Sequence, residues 1–317
     1  MSDLSIIIPA YKNIFLFRAL DSLAQQTDQD FKVYVGDDAS PYDIKTVVEQ
    51  FSTKLDIVYH RFEENLGGSS LIQQWERCIK LSKEDWIWLF SDDDVVSRDA
   101  VEVFKKSLNK KDLLYKFNTK IIDEYDQLFA PTKKFDFLNK IEESIFSHKY
   151  ISNRLACNGF RSYAVEYVFH RSLFEKFGFV EFPLAWCSDD ATWLLYSLNN
   201  KSRIRVLDSY VFWRYSGINI SSDTKTSTVL VAKESAINNF VYWLKEVSIE
   251  YNFKIEDKLI LNWLAFQYSD LRPLMPLADF YKVVKKFDLN CNKSVVFCVY
   301  IKVFLKKRLF NAFLTKR

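Results

Sequence analysis

The feature that most constrains the fold of this 317-residue chain is Trp86-Ile87-Trp88-Leu89-Phe90-Ser91-Asp92-Asp93-Asp94. Five large apolar residues run directly into a serine and three carboxylates. A short, unbroken apolar run fits a strand covered on both faces, as in a parallel sheet between helices. Adjacent carboxylates repel one another and seldom stand together at a buried strand end without a cation. A hard divalent metal held by oxygen ligands where a central strand stops meets both conditions. The competing reading is a solvated acidic loop that caps the next helix.

The flanking sequence repeats the same grammar. Leu4 to Ile8 reads as a short strand ending at Pro9-Ala10-Tyr11, followed by a helical pattern with Leu16, Ala19, Leu20 and Leu23 on one face. Phe31 to Val35 reads as a second strand, closed by Gly36-Asp37-Asp38-Ala39-Ser40, with Pro41 in a first helical turn and Val47, Val48 and Phe51 continuing that helix. Leu55 to Tyr59 forms a third, and Asn65-Leu66-Gly67-Gly68 leads into a helix carrying Leu71, Ile72, Trp75 and Ile79. Alternating strands and helices imply an α/β fold with a mostly parallel central sheet flanked by helices. Ligands of such sheets lie beyond the carboxyl ends of the strands, where each of these polar clusters falls. Asp37-Asp38 is also readable as an N-cap, and Gly67-Gly68 as a simple turn or as a phosphate-accommodating loop before a helix.

Between Ala100 and Tyr150 the pattern blurs, apart from a strand at Leu113 to Phe117. Val165 to Phe169 is a further strand, Arg171 to Gly178 a short helix ending in glycine, and Ser188-Asp189-Asp190 precedes a helix from Ala191 to Leu198. Asp189 and Asp190 either start that helix, where negative charge is favoured, or supply a general base. After a strand at Ile204 to Leu207, residues 228–251 and 256–268 read as helices. The expected division is a catalytic region over 1–225 and a helical region over 226–317.

Composition narrows the classes. The chain is 49% hydrophobic and 17% aromatic with only six Gly and six Pro, which fits a packed globular protein without long linkers. No stretch of 18 uncharged apolar residues is present, so a spanning helix is not expected, and the first residues lack the features of a signal peptide. Five widely spaced cysteines without a C-x-x-C pair argue for reduced thiols and a cytoplasmic setting. The net charge of +3 is uneven: from Tyr281 onward ten Lys and Arg face a single Asp. The acidic body and basic tail do not fit a nucleic-acid binder. They fit a protein attached through its tail to an anionic membrane face, where residues 295–305 would lie as an interfacial helix; a helix packed on the body with a basic edge is the alternative.

Five motifs in order resemble family 2 glycosyltransferases: Ser5-Ile6-Ile7-Ile8-Pro9-Ala10-Tyr11, Val35-Gly36-Asp37-Asp38-Ala39-Ser40, Asn65-Leu66-Gly67, Ser91-Asp92-Asp93-Asp94 and Ser188-Asp189-Asp190. The resemblance covers roughly the first 220 residues. It implies a Rossmann-like nucleotide-diphospho-sugar transferase (GT-A) fold with a helical C-terminal extension. It implies inverting transfer of one sugar from a nucleotide-diphospho-sugar, UDP-linked by preference, to a glycan or lipid-linked acceptor, in bacterial surface polysaccharide synthesis. By the same resemblance Tyr11 stacks on the base, Pro9 and Ala10 shape its pocket, and Asp38 and Asp37 bind base or ribose. Asn65, Gly67, Gly68, Ser91 and Asp92 complete the donor set. Asp92, Asp93 and Asp94 form a D-x-D unit for Mn2+ or Mg2+, and Asp190 is the best candidate base, with Asp189 beside it. Three departures stand out: Leu71-Ile72-Gln73 replaces a family Ala-Arg-Asn, no His occurs near Ser216, and the Gln-x-x-Arg-Trp motif of processive synthases is absent. A nucleotidyltransferase and a catalytically silent sugar-nucleotide binder or membrane scaffold are the alternatives.

Overall fold

The computed structural model describes residues 3–128, 143–160, 162–216 and 226–305. In chain order the elements are β1 (Leu4–Ala10), α1 (Leu16–Ala24), β2 (Lys32–Asp37), α2 (Ile44–Glu49), β3 (Ile57–Arg61), α3 (Leu71–Ile79), β4 (Trp86–Leu89), β5 (Val95–Val96), α4 (Ala100–Ser107) and β6 (Leu114–Ile122). They continue with β7 (Ser144–Phe146), α5 (Ser147–Ala156), β8 (Tyr167–His170), α6 (Arg171–Phe177), α7 (Ser188–Leu198), β9 (Arg203–Arg214), α8 (Ser227–Glu250), α9 (Asp257–Leu271), α10 (Leu277–Lys286) and α11 (Lys293–Tyr300).

One nine-stranded sheet runs β3-β2-β1-β4-β8-β6-β9-β5, with β7 paired to β9. Strands β3, β2, β1 and β4 are mutually parallel, as alternation with α1, α2 and α3 requires. The second half is mixed: β8 lies antiparallel between β4 and β6, while β6 and β9 run parallel. The opening apolar run thus occupies a central strand, and Ile87, Trp88, Leu89 and Phe90 are all buried. Trp88 stacks on Phe117 with ring centroids 4.6 Å apart, and its indole Nε1–H donates to the Val165 carbonyl at 2.7 Å.

Local chemistry accounts for the element ends and corrects some expectations. Helix α2 starts at Ile44, not in a turn at Pro41, and its cap is Asp43, whose carboxylate accepts from Thr46 N at 3.0 Å. Asp37 and Asp38 therefore do not cap it. Strand β6 extends to Ile122, past the apolar stretch, because its polar residues find partners. Lys116 forms a buried ion pair with Glu166 at 2.5 Å, and Asn118 Nδ2 donates to the Leu207 carbonyl at a bulge. Likewise β9 continues to Arg214, well beyond Leu207.

The helices of residues 226–305 share a single apolar cluster with one side of the sheet. Ile237, Phe240 and Leu244 of α8 and Leu261 and Leu264 of α9 belong to it together with Tyr150, Phe169 and Trp193. Helix α11 continues through a wider turn at Ile301–Leu305. It buries Val296, Val299, Tyr300 and Phe304, while Phe297, Ile301 and Leu305 face outward, 50%, 36% and 36% exposed. It is thus a packed helix with an apolar outer stripe. The basic residues of 306–317 lie outside the described residues.

Truncating Trp88 to Ala removes a filled core position and a buried hydrogen bond. The expected loss is about 3–5 kcal/mol of unfolding free energy, read from chemical denaturation.

Candidate functional site

Because β1, β2, β3 and β4 are parallel, their carboxyl ends share one edge of the sheet, and the loops leaving them are stitched together. Asp38 N donates to the Ala10 carbonyl at 3.0 Å, and Ser40 Oγ donates to the Tyr11 carbonyl at 2.6 Å. The amides of Tyr11 and Lys12 both donate to Asp92 Oδ2, at 3.0 and 3.1 Å. Asp38 accepts from the amides of Leu66 and Gly67 at 2.8 and 2.9 Å, and Gly68 N donates to Asn65 Oδ1 at 2.6 Å. Pro9, Ala10, Tyr11, Asp37, Asp38, Asn65, Gly67, Gly68, Ser91 and Asp92 therefore gather on one rim. Tyr11 is exposed there. Gly67 is needed for close approach: a Cβ at that position would sit 2.6 Å from Asp38 Oδ2.

Asp37 and Asp38 are both buried, and both carboxylates are held by an arginine. Asp37 accepts from Ser40 N at 2.8 Å, the Tyr59 hydroxyl at 2.6 Å and Arg61 at 2.7 Å. Asp38 is paired with Arg77 of α3 at 2.5 Å, and Arg77 lies over the Phe62 ring with its guanidinium carbon 3.9 Å from the centroid. Sequence reasoning missed Tyr59, Arg61 and Arg77. The two-residue spacing of Tyr59 and Arg61, which puts both on one face of β3 opposite Val35 and Asp37, was a readable signal. Arg77 had none, because its partner lies 39 residues away.

The triplet is pinned from the far side of the sheet. Arg214, the last residue of β9 and fully buried, donates its backbone N–H to Asp94 Oδ1 at 2.7 Å and its Nε to the Asp93 carbonyl at 2.6 Å. It also contacts the Asp123 carbonyl at 2.8 Å, the Asp126 carboxylate at 2.6 Å and the face of Phe15. Burial pushes all three carboxyls upward: Asp94 to about 7, Asp92 in the same direction despite two backbone donors, and Asp93 further, with Asp94 and Asp92 adding their repulsion. Asp93 has no hydrogen bond to its carboxylate among the described residues. No group of three His, Cys, Asp or Glu side chains converges on a metal position among the described residues. The carboxylates fit the open kind of Mg2+ or Mn2+ site, in which one or two side-chain oxygens bind the ion and substrate phosphates complete the shell. Residues 217–221, where a family His would be sought, lie outside the described residues.

A second acidic pair opens α7, where the helix dipole favours negative charge. The two carboxylates have different surroundings. Asp190 is buried and held in a two-point pairing by Arg154 of α5, both contacts at 2.7 Å, and it accepts from the Tyr150 hydroxyl at 3.3 Å. Tyr150 pairs with Ser162 at 2.9 Å, and Ser162 with Tyr167 at 2.8 Å. Asp189 is partly exposed, and its Oδ1 accepts from Asp190 N at 2.9 Å. Burial, then the charge of Asp190, raises it to about 8. Arg154, Tyr150, Ser162 and Tyr167 were not read from the sequence. The four-residue spacing of Tyr150 and Arg154 on one helix face becomes informative only once α5 is known to be a helix.

The scaffold and the two acidic sets can be set beside known proteins. The family model for glycosyl transferase family 2 matches residues 5–178, more than half of the chain. The chain belongs to glycosyl transferase family 2. Two curated relatives are each 25% identical: the uncharacterized glycosyltransferase MG060 of Mycoplasma genitalium, over 126 residues, and the glycosyltransferase GlyG of Streptococcus pneumoniae, over 114. These matches span 38% and 35% of this chain, and 41% and 37% of the relatives' own lengths. Among solved structures, S. aureus TarS 1-349 in complex with UDP-GlcNAc aligns over 96% of this chain and 91% of its own, with a TM-score of 0.58 and 16% identity. The mannosyltransferase PcManGT from Pyrobaculum calidifontis, in complex with GDP-Man and Mn2+, aligns over 98% and 87%, with a TM-score of 0.50 and 12% identity. At such identities the structural likeness speaks to the fold alone. Family membership and this structural likeness agree on the fold.

The pairs at the rim differ in burial, so their removal should differ in cost. Arg77→Ala strands the buried Asp38 carboxylate and is expected to cost about 3 kcal/mol in urea denaturation. Arg61, half exposed in its side chain, should cost clearly less when truncated in the same way.

Proposed function

We propose that this family 2 enzyme is an inverting transferase. It moves one sugar from a nucleotide-diphospho-sugar, UDP-linked by preference, to a hydroxyl of a glycan or lipid-linked acceptor in bacterial surface polysaccharide synthesis. The observation that carries this reading is the pair of acidic sets in one α/β scaffold, each pinned by its own arginine: Asp92–Asp94 with Arg214, and Asp189–Asp190 with Arg154. The first suits a donor diphosphate and its cation, the second a proton acceptor. One group of carboxylates alone would not supply both functions.

In this reading the acceptor oxygen forms a bond to the anomeric carbon as the bond from that carbon to the diphosphate oxygen breaks, and the nucleoside diphosphate leaves with the electron pair. We assign the acceptor proton to Asp189, which has one backbone donor and reaches the surface, in place of Asp190, the base expected from the sequence, because Arg154 occupies both Asp190 carboxylate oxygens. A Mn2+ or Mg2+ ion held by oxygens of the triplet would supply Lewis-acid neutralisation of the leaving group. In this reading Tyr11 stacks on the base, with Pro9, Ala10 and the Asp37 and Asp38 loop shaping its pocket. Asn65, Gly67, Gly68, Ser91 and Asp92 close the donor rim.

The catalytic unit is read as residues 1–225. Among the described residues no helix is long and apolar enough to cross a membrane. We place the enzyme in the cytoplasm, peripheral on the inner membrane face, with α11 and the basic residues after it toward anionic lipid.

Three outcomes test this. First, kcat/KM should rise with pH through about 8, because Asp189 must lose its proton to act as a base. Asp189→Asn should cost about 10²–10⁴-fold in transfer. Asp190→Asn should move the pH midpoint downward, since one raising charge is gone; if it abolishes transfer while Asp189→Asn keeps the wild-type profile, the roles are reversed. Second, EDTA should stop both transfer and donor hydrolysis, and Mn2+ should restore them. A silent binder would show neither activity with any UDP- or GDP-sugar. Third, deletion of residues 306–317 should lower co-sedimentation with phosphatidylglycerol vesicles while leaving the melting temperature nearly unchanged, because Phe304 and the packed face of α11 remain.

A further inference from the structure

Arg214 brings a fully buried guanidinium to the strand end that carries the acidic triplet. It meets that strand end through a carbonyl and through its own backbone. Its Nε donates to the Asp93 carbonyl at 2.6 Å, and its N–H donates to Asp94 Oδ1 at 2.7 Å. The guanidinium forms its ion pair with Asp126, whose carboxylate lies 2.6 Å from Nη2. Nη1 donates to the Asp123 carbonyl at 2.8 Å, and the Phe15 ring covers the group, its centroid 4.4 Å away. Asp37, Asp38 and Asp190 differ, because each takes an arginine directly on its carboxylate.

Asp126 is held in a tight turn closed by a bridge between Ile122 and Leu128. The Asp123 carboxylate accepts from the amides of Tyr125 and Gln127 at 2.9 and 2.8 Å, and Asp123 N donates to the Gln127 carbonyl at 3.0 Å. Asp126 has a φ of 65°, a left-handed conformation that Asp and Asn adopt more readily than other non-glycine residues. Its carboxylate also pairs with Arg18 of α1, whose side chain is 45% exposed, a surface contact of small energetic weight. One carboxylate thus faces a buried arginine on one side and a surface arginine on the other. A buried guanidinium without a counter-charge is strongly disfavoured. Asp93, Asp94 and Asp123 are close enough for their charges to act on Arg214. A guanidinium drawn onto the triplet would cover carboxylate oxygens and repel a divalent ion from them.

From these contacts we infer that Asp126 is a positioning residue for the cation site. By answering the charge of Arg214, it lets the guanidinium order the strand end while the carboxylates of Asp92, Asp93 and Asp94 stay open to a divalent cation. This rests on the metal-dependent reading above and deepens it, since the affinity for the cation then depends on a carboxylate on the far side of Arg214.

The test reads cation binding rather than turnover. Mn2+ is titrated into the full chain with UDP present, and free Mn2+ is followed by its electron paramagnetic resonance signal. Asp126→Asn keeps the left-handed turn and removes the charge, so its Kd for Mn2+ should rise about tenfold. Arg18→Gln leaves the Asp126–Arg214 pair in place and should stay within about twofold of wild type. In an Arg214→Gln background, where no guanidinium needs balancing, adding Asp126→Asn should change the Kd by less than about twofold. Wild-type affinity in a folded Asp126→Asn overturns the inference and leaves Asp126 a turn residue. An equal loss in Arg18→Gln, or a tenfold loss in the Arg214→Gln background, overturns it as well, because anchoring of the turn rather than charge would then set the affinity. If wild type with UDP binds no Mn2+, the metal-dependent reading itself fails and the inference falls with it.

Discussion

Carboxylates gathered at buried positions have to be held apart, and basic side chains do this throughout the site. Asp37 is paired with Arg61, Asp38 with Arg77, Asp190 with Arg154 and Glu166 with Lys116, and Arg214 fixes the strand end that carries Asp93 and Asp94. A buried carboxylate without such a partner would protonate or distort its loop. Each pairing joins residues distant in sequence, so the acids that could do chemistry also tie the sheet edge together.

The pairings divide the acids into two kinds. Those with an arginine or several backbone donors are fixed in position: Asp37, Asp38, Asp92 and Asp190. Asp93 and Asp189 keep few protein partners, and burial raises them well above the ordinary carboxylate range. Such contrast between neighbouring groups is a usual mark of sites where protons or cations are exchanged. In each set one residue anchors and its neighbour remains available.

The first half of the fold was readable because it is local. Apolar runs, the 3.6-residue spacing of Leu16, Ala19, Leu20 and Leu23, and turn residues at each strand end carry the alternation without reference to partners. The second half was not. The antiparallel insertion of β8, the length of β6 and β9, and the helix α5 depend on the Lys116–Glu166 pair, the bulge at Phe117/Asn118 and packing against α8 and α9. Polar residues inside a strand look like its end until their partner is known. The N-cap reading of Asp37 or Asp38 fails for the same reason: Asp43 is closer to the helix, and the two upstream acids are occupied by arginines.

The chain's local pattern is enough to establish an α/β sheet, the acidic triplet at the end of a central strand, the Asp189–Asp190 pair at the start of a helix, and the family they mark. Residue type and short-range spacing encode these directly. Which acids are anchored, which face outward, and that Trp213 stacks on Tyr163 came only from the folded chain. Those relations are contacts between segments from tens of residues to more than a hundred apart, such as Asp94 with Arg214. No pattern within a single segment records them, because the sheet order brings the segments together.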